Sequence, residues 1–116
     1  MEKIIEEIKT ERKNQENKWG EQNHPCLDQL LLNREGGCTP QRMCEEYEIP
    51  SEHRAKFLCD NSFKFNRGTY AHIAIEEMSE VVSAFDIHKR RQEIIQLAAV
   101  CVAWVEKIDR DIEKEN

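Results

Sequence analysis

Glu76, Glu77 and Glu80 put three carboxylates into the five residues EEMSE. The segment around them is otherwise apolar, with Ile73, Ala74 and Ile75 before and Val81 and Val82 after, and no basic residue lies closer in sequence than Arg67 or Lys89. On a helix, positions three and four apart share a face, so Glu76, Glu77 and Glu80 crowd one side. A second polar pair, Glu93 and Gln96, is again three apart, and Gln96 interrupts an otherwise apolar stretch. Carboxylates that converge in a low-dielectric setting repel one another and are costly when bare. A divalent cation removes that cost. Hard oxygen ligands at this density suit Mg2+, with Mn2+ as a substitute, and Mg2+ is commonly completed by waters and substrate phosphates. The competing reading is a solvated acidic face, the commoner fate of acids at helical spacing. The second pair, on a helix that is apolar elsewhere, favours a site.

The elements that must position these acids are helical. Residues 1–18 carry a short apolar stripe, Ile4, Ile5 and Ile8, which Arg12, Gln15 and Trp19 extend as a mixed face before Gly20 ends the helix. Residues 20–38 read as irregular, with NHP and NREGG as turn signals. A short helix begins at TPQRM, with Thr39 as N-cap and Pro40 at the first helical position, and stops near Ile49-Pro50. Ser51 caps a third helix, closed by Asn66, Arg67 and Gly68, where Gly68 suits a left-handed C-cap. Thr69 caps the fourth, TYAHIAIEEMSEVVSAFDI. After a short break at HKR, a fifth helix over about 90–113 is expected to return antiparallel to the fourth.

Ile94, Ile95, Leu97, Val100, Val102, Trp104, Val105 and Ile108 make that last helix apolar nearly all round. Such a helix is buried on several sides. In so small a chain this predicts a subunit interface. No strand pattern is visible. The expectation is an all-α helical bundle, a single domain over 1–116, built on an antiparallel hairpin of two long helices and completed as a homodimer or homotetramer.

Composition narrows the partners. The 116 residues suffice for one core. Acids outnumber bases 23 to 17, a net charge of -6, which argues against a nucleic-acid binder and its basic patch. The cysteines, Cys26, Cys38, Cys44, Cys59 and Cys101, are odd in number and irregularly spaced. Free thiols in a reducing compartment are the reading. The charged opening MEKIIEEIKTERK is unlike a secretory leader, so a cytoplasmic location is expected. The longest apolar run, LAAVCVAWV, falls far short of the ~20 residues of a membrane span, so no membrane partner is expected. His24, Cys26, Cys38 and Cys44 invite a zinc reading, but no C-x-x-C pair supports it.

Glu77-x-x-Glu80, twelve residues, then Glu93-x-x-Gln96 resembles the E-x-x-E…E-x-x-D signature of the all-α nucleoside triphosphate pyrophosphohydrolases, the MazG-like proteins and dimeric dUTPases. Glu76 fits the doubled-acid form of the MazG-like members. ERKNQENKWGEQNHP and EIIQLAAVCVAWVEKID are similar to a branch of small phage and bacterial MazG-like proteins. The acid signature covers residues 70–109.

The resemblance implies hydrolysis of a nucleoside triphosphate to its monophosphate and pyrophosphate, with Mg2+ neutralising phosphate charge and activating the attacking water. It implies Glu77, Glu80, Glu93 and Gln96 as metal ligands and Glu76 as a ligand or the group that positions water. The chain departs from the signature at its last position, where Gln96 stands for Asp. A neutral amide weakens the site, and a non-catalytic nucleotide or nucleotide-signal binder on the same fold is the alternative. Trp19 either stacks on a base, with Arg12, Gln15, Lys18 and Arg67 available to the rest of a nucleotide, or caps the core beneath the first helix. Lys89, Arg90 and Arg91 read first as an exposed loop and His72 as structural.

Overall fold

The computed structural model describes residues 1–33 and 36–115. Among them are the helices α1 (Glu2–Trp19), α2 (Gln29–Leu32), α3 (Pro40–Glu46), α4 (Glu52–Lys64), α5 (Tyr70–Ser83) and α6 (Ile87–Glu115), and no strand. The all-α expectation holds. Arg34 and Glu35 of the NREGG turn lie outside the described residues. No described helix is long and apolar enough to cross a membrane.

Local chemistry sets most boundaries. Gly20, at φ 72°, ends α1 and donates its N–H to the Glu16 carbonyl. Thr39, Ser51 and Thr69 each accept from the backbone N–H three residues on, that of Arg42, Arg54 and His72, which satisfies a donor the helix cannot. The one-turn helix α2 falls within the stretch expected to be irregular. Its cap is Asp28, whose carboxylate accepts from the Leu30 N–H at 2.9 Å. So short a helix carries no periodicity to read.

The chain divides into two compact units: Met1–Cys26 with Val102–Asn116, and Leu27–Cys101. The first holds α1, whose buried residue is Ile4, and the C-terminal part of α6. The second is organised on α5, which packs most extensively against α4, with α3 laid against both. Leu27, Met43, Cys44 and Val82 are its buried cluster, and Leu31, Leu32, Cys38 and Ile49 pack on it.

Three expectations need correction. The break between the last two helices comes at Ala84, Phe85 and Asp86 rather than at HKR. Asp86 accepts from the Lys89 N–H through its carboxylate and from the Arg90 N–H through its carbonyl, the two bonds that start α6. Arg90 is therefore not on an exposed loop. It is buried, and its guanidinium donates to the carbonyls of Ala84 at 2.9 Å and Phe85 at 3.2 Å, closing the end of α5.

Gly68 is not left-handed. That conformation belongs to Asn66, at φ 59°. Gly68 is required for space, because a Cβ there would run into the Phe63 ring. Within one chain, α6 is left largely uncovered. Its buried residues are Arg90 and Glu93, while Ile94, Ile95, Trp104, Val105 and Ile108 are exposed.

Candidate metal centre

Each flank of α5 has its own neighbour. Ser79 and Ser83 face α3. The fully buried Ser79 bonds back to the Glu76 carbonyl at 2.6 Å, and its small size lets Cys44 approach its backbone, Sγ to carbonyl 3.7 Å. Cys44 also lies 3.4 Å from the Ser83 hydroxyl. With serines on that side, the glutamates are left for the other flanks.

Glu77 and Glu80 meet Glu93 from the start of α6. One carboxylate oxygen from each can be chosen so that all lie within 4.8 Å of one another. Among the described residues they are the one group of His, Cys, Asp or Glu disposed to hold an ion. All three belong to the Leu27–Cys101 unit. Glu93 is 4 % exposed, and its Oε2, like that of Glu77, is buried without a hydrogen-bond partner. A buried carboxylate oxygen with no donor is expensive, which is the opposite of a solvated acidic face.

The charges are not left bare. Lys89, one turn before Glu93, places its ammonium 2.8 Å from Glu93 Oε1. That hydrogen bond holds the Glu93 carboxyl below its ordinary range, against the opposing effect of burial. Glu80 moves the other way. Burial, then its hydrogen bond with Glu93 and the nearby charges of Glu77, Glu93 and Glu76, push it up to about 8. Burial and the Glu93 and Glu76 charges also raise Glu77. The consistent picture is a proton on Glu80, donated to an ionised Glu93. Proton and ammonium together stand where a cation's charge would be.

The donor set fits a hard divalent ion: all ligand atoms are carboxylate oxygens, and Glu77 and Glu93 each carry one buried oxygen without a hydrogen-bond partner. Glu76 is outside the trio. It lies beside Cys59 of α4, and burial, reinforced by the Glu76 carboxylate, pushes that thiol up to about 11. Gln96, one turn beyond Glu93, is exposed. Arg67 is exposed in the α4–α5 connection. Arg12, Gln15, Lys18 and Trp19 are on α1, in the other unit. There the Arg12 guanidinium donates to the Gln15 side chain at 2.7 Å, and the Lys18 ammonium sits 4.4 Å from the Trp19 ring centre.

Lys89 as the partner of Glu93 was missed from sequence, though the four-residue spacing carried the signal. His72 also has partners not foreseen: Ser62 at 3.1 Å and Thr69 at 2.7 Å, one on each ring nitrogen. No family model, curated protein or solved structure matches this chain.

Proposed function

We propose that this chain is a Mg2+-dependent nucleotide pyrophosphohydrolase whose metal ligands are Glu77, Glu80 and Glu93. The observation that carries the metal is the buried, unpartnered Oε2 of Glu93 beside two further carboxylates. The nucleotide substrate rests on the acid spacing that resembles the pyrophosphohydrolase signature. A divalent ion held there supplies charge neutralisation for a phosphate chain and activation of water.

The chain's own residues do the rest. Glu93 is already ionised and fixed by Lys89. Glu80 gives up its proton to become a ligand. Gln96 favours a second reading, a nucleotide binder without turnover, because a neutral and exposed amide at that position adds no charge to the site.

The deciding experiment incubates the protein with a panel of nucleoside triphosphates and Mg2+ or Mn2+ and resolves the products by chromatography, alongside melting curves with and without metal. Monophosphate and pyrophosphate should form, and both turnover and the metal-induced melting shift should vanish in Glu80→Gln and Glu93→Gln. At a hundredfold excess of metal over Kd the native state should gain about 2.7 kcal/mol. Metal-dependent melting without products establishes the binder. Melting indifferent to metal rejects both readings.

A further inference from the structure

No acidic residue occurs between Asp60 and Glu76, the longest acid-free run in a chain of net charge -6, and that run contains Lys64, Arg67 and His72. Its fold gathers donors. The end of α4 and the start of α5 enclose an open cavity of about 320 Å3 lined by Asn61, Ser62, Phe65, Arg67 and His72. The carbonyls that would make this end of α4 electronegative are already taken. Those of Asn61, Ser62 and Phe63 accept from the N–H groups of Phe65, Arg67 and Asn66. The bordering acid, Asp60, is paired with Lys56 at 3.1 Å. Among the described residues, no carboxylate forms an ion pair with the Arg67 guanidinium.

His72 is held at both ring nitrogens by hydroxyls, Ser62 at Nε2 and Thr69 at Nδ1. Ring orientation is thereby fixed, and Ser62 is placed at the cavity wall beside it. A guanidinium with five donors, an amide and a hydroxyl oriented by the imidazole make a wall suited to an oxyanion. The planar fork of an arginine matches a phosphate in particular. The volume is at the low end for small-molecule sites, enough for a phosphoryl group and part of what it is attached to.

We propose that this cavity at the α4–α5 turn binds a phosphoryl group, with Arg67, Ser62 and Asn61 as its contacts and His72 positioning the Ser62 hydroxyl. The site is assembled from residues that take no part in the carboxylate trio and requires no metal. It therefore stands or falls separately from the pyrophosphohydrolase reading.

The test is a titration of the full chain with inorganic phosphate in EDTA, followed by amide and imidazole NMR shifts, with a parallel titration by a nucleoside monophosphate. Shifts should cluster in residues 61–72. Arg67→Ala, a change at an exposed side chain, should weaken binding about tenfold, and Ser62→Ala about threefold. Tighter binding of the monophosphate identifies a phosphate ester as the source, and equal binding identifies the free anion. Absence of shifts in residues 61–72, or affinity unchanged in Arg67→Ala, overturns the proposal.

Discussion

Glu80 and Glu93 are chemically the same side chain, yet their surroundings shift their pKa values in opposite directions. The difference lies in their neighbours: an ammonium at 2.8 Å for Glu93, burial and other carboxylates for Glu80. This has a direct consequence for metal binding. Glu80 must lose its proton to become a ligand, so affinity for Mg2+ should rise with pH until the carboxyl is ionised, near pH 8, and flatten above it. The metal-free protein behaves inversely. A carboxyl raised on folding contributes stability that is complete below its unfolded value and lost as pH climbs through the folded one. Between about pH 5 and 8 the metal-free melting temperature should therefore fall while the increment from Mg2+ grows. Calorimetry across that range, with proton release measured in two buffers, checks it. Binding that is flat with pH, or no change in slope in Glu80→Gln, would place the proton elsewhere.

At the scale of elements, capping residues were the most legible features. Thr39, Ser51 and Thr69 sit in front of their helices because a hydroxyl that accepts a backbone N–H is a local event. What depends on contact across the chain was not legible. Gly68 shows this: its sequence context suggests a left-handed cap, yet its role is to leave room for the Phe63 ring, a contact that a one-dimensional reading cannot see. Gly68→Ala should cost about 1–3 kcal/mol through displacement of that ring. Urea unfolding measures it, and an unchanged midpoint would show that the ring moves aside freely. The end of α5 was misplaced for the same kind of reason, since the closing partner, Arg90, acts from the next helix. Glu77 and Glu80 were legible as a pair because helical spacing is itself the geometry, whereas Glu93 joins them from the next helix and was reachable only through the expected turn between the two. The inward turn of Glu76 toward Cys59 was not.

For the whole molecule, the apolar character of α6 was readable from sequence, but what covers it was not. Ile94, Ile95, Trp104, Val105, Ile108 and Ile112 are exposed on one continuous helix, with Ile95 at 55 %. Burying a large aliphatic side chain is worth about 1.5–3 kcal/mol, so a row of them left in water favours association. Sedimentation at micromolar concentration should therefore show a dimer or tetramer, and Ile95→Glu with Ile108→Glu should shift it toward monomer. A wild-type chain that sediments as a monomer would remove the interface.

The Lys89 ammonium on Glu93 bears on the order of events when the chain is made. Small metal sites that are bare without their ion often cannot fold until it arrives. Here a lysine and a shared proton occupy the acidic centre from within the chain. If the centre takes the proposed ion, folding on synthesis need not wait for metal supply, and loading would be an exchange in which a proton leaves as the ion enters. Chelator-treated protein should accordingly keep its helical circular dichroism, whereas loss of that signal would make the ion a folding partner rather than a late arrival.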